Sequence, residues 1–492
     1  MTAQLVAAQA GLPPGLASRI ADQDWVTKTD LMTYVRCPYT YSLLYRGEID
    51  RSELFDEFLL ELLAEGVEFH DQVDATAPLV ELTSEAGLDE LLAADVTVLH
   101  PPVSFNDKLK ICGMPDGIDP RGGAFWPIEY KTHKNVHLYD EIELAFYWLL
   151  LSPRRTRGVR DPRGIVVLRR DGEPYPVEVV LTPHRFAQVR RLVSEVRQAR
   201  DTPVQPRFCG CHVCSNVRRD EVRASATERR HVSLLFGVGR EYERALASAG
   251  VGDYLGLLAR EPDELAVTIS LSSRLRCSAS MIKKWQHHAR AYRDSVAQFF
   301  GDPLRLGDAF IAVDLEYLTP PFGERVWLVG AAVVSESVPP QVHQFWASDT
   351  DAAERKVLAE LTLILDAHPE LPVVTWSGGA ADLPVMRKAA TRLGVPDPLA
   401  DREHFDLFVW AQRSLRLPVP SLSLEELAEY FAVPHHSDIA GGMEAQLLYR
   451  KLLTGPRAGR STVKRRLLSY NRDDLDATVA VARELNALQP AP

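Results

Sequence analysis

From Ile311 the chain runs Ile-Ala-Val-Asp-Leu-Glu, an apolar run bounded by polar residues, which is the pattern of a buried strand. Side chains alternate along a strand, so Asp314 and Glu316 project from one face. Two carboxylates held side by side are unfavourable unless a cation lies between them, and a pair of divalent ions is the usual answer. Further on, YNRDDLDATVAVARELNAL repeats its apolar positions at helical spacing, which puts Tyr470 and Asp474 on one helix face. VVTWSGGAADLPVMRKAA predicts a strand, a glycine turn and a helix, with a third carboxylate, Asp382, where the helix begins.

Upstream, DWVTKTDLMTYVRCPYTYSLLYRGEI predicts a capped helix beginning at Thr29 or Asp30, a break at Cys37-Pro38 and a second, aromatic-rich helix. FDEFLLELLAEGVEFHDQV is strongly helical. KICGMPDGID and FWPIEYKTHK both look like strands, and in the second Glu129 and Lys131 lie two apart on one face. From Ala224 to about Gln298 the chain is helical and punctuated by glycine, and MIKKWQHHARAYRDSVAQFF mixes Lys, Arg and His with aromatics on a helix. Pro303 and Gly307 suggest a border, after which strand, strand, helix, strand, helix predicts a mixed sheet flanked by helices. Tyr317 to Phe322 and Arg416 to Pro420 are Pro-rich and are expected as loops. The expected organisation is a segment 1–23, a first α/β domain 24–222, a helical domain 223–302 and a second α/β domain 303–492.

Composition changes the picture modestly. The chain has 492 residues, enough for two to four domains, and 46% are hydrophobic, so ample cores can form. Lys plus Arg number 56 against 67 Asp plus Glu, a net charge of -11. That balance speaks against a large passive nucleic-acid-binding surface but not against local basic strips or carboxylate-rich metal sites. MTAQLVAAQAGLPPG has no basic leader region and is not a convincing signal peptide, and the longest apolar run, Leu144 to Leu151, is far short of a membrane span. Of six cysteines three crowd between 209 and 214, which points to a reducing compartment, the cytoplasm, and to a metal rather than a disulfide scaffold. Cys112 and Cys277 are isolated and expected to be packed or idle.

The order Asp-x-Glu, Asp, Tyr-x-x-x-Asp resembles the DEDD exonucleases of the RNase H-like superfamily, in their tyrosine (DEDDy) variant and YprB-type branch. HFDLF, SLSLEELAEYF and GGMEAQLLY add to the resemblance, which covers about Asp308 to Leu488. It implies that Asp314, Glu316, Asp382 and Asp474 hold two Mg²⁺ or Mn²⁺ ions roughly 3.5 to 4 Å apart, one activating water and one stabilising the leaving oxygen. Tyr470 would orient the attacking water.

His70, then Gly113-Met-Pro-Asp116, then Glu129-Tyr-Lys131 resembles the PD-(D/E)XK nucleases of the RecB-like class over about Asp24 to Asp220. The resemblance implies His70, Asp116 and Glu129 as metal ligands and Lys131 as the catalytic lysine, and Gly-x-x-Asp spacing prefers Asp116 to Asp119. The chain departs from that pattern at Glu143, where a glutamine usually stands four residues before the tyrosine, here Tyr147; the pair bears on nucleic-acid contact. In several such nucleases one early and three late cysteines hold a 4Fe-4S cluster, and Cys37, Cys209, Cys211 and Cys214 have that distribution. Their late spacing is unusual, with Asp220 standing where a third late cysteine might have been. A structural zinc, with or without His212, and no metal at all are the alternatives.

Gly237-Val-Gly239 opening one helix and Gly252 before the next is similar to helix-hairpin-helix modules, whose glycine turns present N–H groups to phosphate. The following helix reads first as a solvated face with an apolar stripe, and second as a phosphate contact through Lys283, Lys284 and Arg290. As a whole the chain resembles bacterial RecB-like nucleases joining a PD-(D/E)XK domain to a YprB-type domain. The expectation is a two-site, metal-dependent nuclease of DNA repair, recombination or foreign-DNA clearance. DNA is preferred to RNA as its partner, with a helicase or repair protein as a further partner and no membrane. RNA processing, or an adaptor with one inactive site, are the alternatives.

Overall fold

The computed structural model describes residues 25–54, 57–74, 88, 90, 96–121, 124–154, 162–170, 172–273, 275–319, 323–336, 338–456 and 459–488, with backbone alone for 57–65. The segment 1–23 and the leader reading attached to it lie outside these residues. The chain divides into two compact units, residues 1–222 and 223–492.

In the first unit, β1 (Val26–Thr27) leads into α1 (Lys28–Arg36). The start lies earlier than Thr29 or Asp30. Thr27 is the cap, its hydroxyl accepting from the Asp30 N–H at 3.0 Å while the Asp30 carboxylate accepts from the Thr27 N–H at 3.0 Å. Each side chain thus satisfies an N–H that the helix leaves over, with Asp30 serving as the reciprocal partner. Cys37 then ends α1 and caps α2 (Pro38–Arg46), whose first residue, Pro38, has no N–H to lose. After α3 (Glu57–Asp74) come β2 (Val98–Leu99), β3 (Ser104–Asn106), β4 (Ile111–Gly113), β5 (Gly117–Arg121), β6 (Ala124–Lys131), α4 (Leu138–Leu150), β7 (Arg163–Arg170), β8 (Glu173–Val180) and α5 (Pro183–Asp201). The KICGMPDGID run is two strands, broken at Met114–Asp116, and this break brings Asp116 back beside β6.

The main sheet has the order β2-β5-β6-β7-β8. Within it only β6 and β7 are parallel, and α4 makes the crossover that a parallel pair requires. Ten of the thirteen residues of α4 are buried, Glu143 and Tyr147 among them, so this helix is core all round. Leu144, Phe146 and Leu150 join Val166 and Leu168 of β7 and Val189 and Val196 of α5 in one apolar cluster. The charged face of β6 therefore opens toward buried surroundings.

The division between units falls inside α6 (Arg219–Glu228). In the second unit, α7 (Arg240–Ser248), α8 (Tyr254–Leu258), α9 (Pro262–Ser273) and α10 (Ala279–Asp294) precede its main sheet and belong to the same compact unit. From α10 the buried His288 accepts from the Phe236 N–H at 2.8 Å through Nδ1, while its Nε2 bonds the Val419 carbonyl at 2.9 Å. Burial and the nearby Arg416 lower this imidazole to about 3, so it stays neutral and can serve one acceptor and one donor at once. β9 (Gln298–Phe299) pairs with Leu415–Arg416, so Arg416, expected in a loop, is a strand residue. Its guanidinium lies over the rings of Phe236 and Phe300, centroids 5.5 and 4.8 Å away.

The second sheet is formed by β10 (Phe310–Tyr317), β11 (Val326–Val334), β12 (Gln341–Trp346), β13 (Val373–Thr375) and β14 (His404–Asp406) in the order β12-β11-β10-β13-β14. The first three strands are antiparallel, and β13 and β14 run parallel to β10. β12 was not expected. It is a half-exposed edge strand, Gln-Val-His-Gln-Phe-Trp, without the apolar run of a central one. Helices α11 (Asp351–Ala367), α12 (Asp382–Leu393), α13 (Leu407–Ser414), α14 (Leu424–Tyr430), α15 (Gly442–Thr454) and α16 (Arg460–Ala487) complete the unit. Alternation in β10 sorts its residues as the sequence requires. Ile311, Val313 and Leu315 pack with Leu358 of α11 and Met386 of α12, while Phe310 and Ala312 pack with Leu475 and Val479 of α16. Asp314 and Glu316 follow on the α16 side. Among the described residues no helix is long and apolar enough to cross a membrane.

Candidate active sites and metal centres

Gly330 explains how α16 reaches the sheet. It sits opposite Asp314 in β11, and a Cβ there would run into the Asn471 amide and the Leu475 side chain. With only hydrogen at that position, the helix approaches closely enough for Asn471 Nδ2 to donate to Asp314 Oδ2 at 2.7 Å. The Asn471 oxygen is itself held by Gln344 Nε2 of β12 at 2.9 Å, so the amide's orientation is fixed. The ligand oxygens of Asp314, Glu316 and Asp474 then lie within 4.8 Å of one another.

Asp382 opens α12 and is buried. It stands outside the group of three, yet its charge acts on Asp314 and Glu316. Burial pushes Asp314 up to about 7, Asp382 adds to the rise, and the Asn471 hydrogen bond opposes it. Burial raises Asp382 to about 7 as well, with Asp406 and Asp474 adding. Burial drives Glu316 and Asp474 well above the carboxylate range, the neighbouring carboxylates contributing further. Burial and the same carboxylates push the Tyr470 phenol far up, so it remains a proton donor, hydrogen-bonded to Asp474.

The buried Glu354 in the same unit shows what ordinary compensation looks like. It has Arg325 at 3.1 Å, Arg392 at 2.5 Å and the Val326 N–H at 3.0 Å. Among the described residues no Lys or Arg forms an ion pair with Asp314, Glu316, Asp382 or Asp474. A buried acidic cluster with no positive partner fits divalent cations. Asp406, in the expected HFDLF strand, accepts instead from the N–H groups of Ser377, Gly379 and Val409 and so fixes the glycine turn before Asp382. The sequence reading missed Asn471, although it adjoins Tyr470. It also missed Asp473, which accepts from the His436 and Ser437 N–H groups at 2.9 and 2.5 Å and pins their loop to α16.

In the first unit Glu129 and Lys131 project together from β6. Lys131 Nζ lies 3.1 Å from Glu129 Oε2 and 2.5 Å from Glu143 Oε2. Glu129 is 1% exposed, and its Oε1 is buried with no hydrogen-bond partner. Burial raises Glu129 to about 8 against the pull of Lys28 and Lys131. Burial also acts on Glu143, but the two lysines outweigh it and hold that carboxyl down to about 2. Asp116 accepts from the Tyr130 N–H at 2.7 Å. Asp119 is turned away to Arg121, at 2.8 Å. His70 packs edge-on against the Tyr130 ring, centroids 5.0 Å apart, and Tyr130 points to the other face of β6 from Glu129. His70, Asp116 and Glu129 are therefore not gathered within 4.8 Å in this structure. Tyr147 is buried and donates to the Met114 carbonyl at 2.9 Å, so it braces the Asp116 turn.

Cys37, Cys209, Cys211 and Cys214 bring all four sulfurs within 4.8 Å of one another. Separations of 3.7 Å for Cys37–Cys214, 3.7 Å for Cys37–Cys209 and 3.4 Å for Cys209–Cys211 exclude disulfides. Zn–S bonds of about 2.3 Å place tetrahedral thiolates roughly 3.8 Å apart. In a four-iron cube each thiolate takes a different iron, which spreads the sulfurs across the width of the cluster. The observed spacing is close to that of one tetrahedral ion. Thr40 supplies supporting contacts, its N–H to Cys37 at 3.4 Å and its hydroxyl to Cys211 at 3.5 Å. His212 is turned to Asn216 instead.

Gly239 caps α7, and Gly237 has φ +84°, a left-handed turn conformation that suits glycine. Lys283 and Lys284 lie on α10, with Lys284 Nζ 5.9 Å from the Phe300 ring centroid.

Sheet order, the crossing α16 and the acidic cluster define an RNase H-like domain. A family model of the RNase H superfamily matches residues 311–486. Among solved structures the chain is similar to the family B DNA polymerase from the hyperthermophilic archaeon Pyrobaculum calidifontis, at 18% identity and a TM-score of 0.29 over 38% of this chain and 25% of that one. It is also similar to SSO0001, at 18% identity and a TM-score of 0.22 over 36% of this chain and 77% of that one. The chain thus spans a quarter of the polymerase. No curated protein matches it.

Proposed function

We propose that the chain is a two-site, metal-dependent nuclease, with a DEDDy-type 3′ to 5′ exonuclease of the YprB branch in its C-terminal part and a RecB-like PD-(D/E)XK site in its N-terminal part. The observation that carries this reading is the partly buried cluster of Asp314, Glu316 and Asp474, without a Lys or Arg partner among the described residues, beside Tyr470 in an RNase H-like domain. Asp314, Glu316, Asp382 and Asp474 would hold the ions. Mg²⁺ or Mn²⁺ there supplies charge neutralisation at phosphate and a water acidic enough to act near neutral pH.

The protein's own groups do the rest. Asn471 keeps Asp314 in one orientation. Tyr470, held protonated and hydrogen-bonded to Asp474, is the group that would orient an attacking water, and Asp473 pins the His436–Ser437 segment to α16. In the N-terminal site Asp116 and Glu129 are the carboxylates for metal, the unpartnered Glu129 Oε1 being the free ligand atom, and Lys131 steadies water or a phosphate oxygen. The four cysteines favour structural zinc over a 4Fe-4S cluster and tie the α1–α2 junction to the end of the first domain. DNA is the favoured substrate, with repair, recombination or foreign-DNA clearance as the setting.

The test is digestion of 3′- and 5′-labelled single-stranded DNA and RNA of matched sequence with Mn²⁺. Stepwise loss from the 3′ end of DNA, abolished by Asp314→Asn in a folded protein, is the expected result. Activity on RNA alone moves the reading to RNA processing, and trimming undiminished in Asp314→Asn rejects the C-terminal site.

A further inference from the structure

Unlike the C-terminal cluster, the N-terminal carboxylates have more cations than the motif requires. Lys28, the first residue of α1, comes to them from far upstream in the sequence. Its Nζ lies 3.6 Å from Glu129 Oε2 and 3.8 Å from Glu143 Oε2, and 5.8 Å above the Tyr147 ring. Lys131 already bridges the same two oxygens at hydrogen-bonding distance. Lys28 is therefore held by charge and stands outside good hydrogen-bonding range of both carboxylates. Its side chain is 30% exposed against 1% for Glu129, so Lys28 is the more accessible member of the pair.

A divalent ion entering at Asp116 and Glu129 takes over the charge that Lys28 now balances. The ammonium is then left beside a metal, desolvated on one side, with three N–H donors and no anion. The anion that such a nuclease brings to this place is a phosphodiester. We propose that Lys28 is the phosphate-binding cation of the N-terminal site: it neutralises Glu129 and Glu143 until metal binds and then pairs with a non-bridging oxygen of the nucleic-acid backbone. This rests on the reading of the site as a phosphodiester hydrolase. Lys28 thereby competes with the metal for the carboxylates and cooperates with it in holding the substrate.

The experiment uses the full chain with the C-terminal cluster disabled by Asp314→Asn and Asp474→Asn, and adds Lys28→Met, Lys28→Arg or Glu129→Gln. Mn²⁺ binding is measured by calorimetry without nucleic acid. Binding of a short fluorescent single-stranded DNA is measured by anisotropy with Ca²⁺ at several salt concentrations. Removing one competing charge and one phosphate contact predicts, for Lys28→Met, Mn²⁺ binding tightened about tenfold, DNA binding weakened about tenfold and a salt slope smaller by about one. Lys28→Arg should keep the DNA affinity. Unchanged or weaker Mn²⁺ binding in Lys28→Met, or an unchanged salt slope, overturns the proposal. Glu129→Gln separates the two levels of the argument, since Mn²⁺ binding undiminished in that variant rejects the site itself. If Lys28→Met does not fold, Lys28→Gln is read by the same criteria.

Discussion

Metal binding at the C-terminal cluster should release protons, and the number can be worked from the site. Asp314 and Asp382 are each raised from 3.8 to about 7, and Glu316 and Asp474 are raised further. A carboxyl raised on folding binds more protons in the native state than in the unfolded chain at intermediate pH. Its penalty is therefore absent below about pH 4, grows as pH rises to about 7, and is constant above. A shift of about three units corresponds to ~4 kcal/mol for Asp314 alone, lost by the metal-free protein across that window. Divalent ions relieve the penalty, so metal-induced stabilisation should grow with pH. At pH 6 groups titrating near 7 are about nine-tenths protonated, so Asp314 and Asp382 together release about two protons per site filled, with more from the other two carboxylates. The assay is calorimetric Mn²⁺ titration of the Glu129→Gln variant in buffers of differing ionisation enthalpy, which yields the proton count directly. Release of fewer than about half a proton at pH 6, or equal metal stabilisation at pH 5.5 and 8, would refute the account of the cluster as uncompensated buried acid.

Tyr470→Phe keeps every carboxylate, so Mn²⁺ affinity should stay within about twofold while 3′ trimming slows by roughly 10² or more, as for other positioned proton donors. Gly330→Ala places a methyl against Asn471 and Leu475 and should destabilise the second unit by about 1–3 kcal/mol in urea, with trimming reduced as Asp314 loses its partner. Cys37→Ser should lower bound zinc, measured by elemental analysis, from about one ion per chain toward none; a brown, iron-containing wild type would reject the single-ion assignment. Lys131→Ala should stop cleavage of circular single-stranded DNA, which offers no end to trim, and spare trimming of a linear strand. Loss of both in a folded protein would show that the sites are coupled.

The legible parts of the chain were those whose chemistry is carried by local spacing. Asp314 and Glu316 share a face because a strand alternates, and Tyr470 and Asp474 share one because a helix repeats near every fourth residue. The strand carrying Glu129 and Lys131 announces itself by its apolar run. β12 did not, because an edge strand needs no such run, and Arg416 did not, because Pro-rich surroundings masked a two-residue strand buried by tertiary contacts. Thr27 was passed over as a cap since Thr29 and Asp30 carry similar signals two and three residues on. Asn471 was legible in principle, beside Tyr470, but its use depends on Gly330 in another strand. Lys28 carried no local signal at all. Only the packing of α1 against α4 and β6 places it over Glu129, far away in sequence.

The two sites manage buried negative charge in opposite ways. At the C-terminal cluster four carboxylates share a polar neighbourhood of an amide and a phenol, and among the described residues no ammonium or guanidinium pairs with them. At the N-terminal site three carboxylates, Asp116, Glu129 and Glu143, stand with two lysines, leaving one formal negative charge where the other site has four. A divalent ion gains more at the C-terminal cluster than at the N-terminal site, because it meets uncompensated acid at the former and must contend with fixed cations at the latter. The ordering of metal affinities follows: the C-terminal site should fill first as Mn²⁺ is raised, and 3′ trimming should appear at lower metal concentration than cleavage of a circle. Lys28→Met should narrow that gap from the N-terminal side alone. The same gap seen in wild type and Lys28→Met would place its origin in ligand geometry, and the charge argument for both sites would fall together.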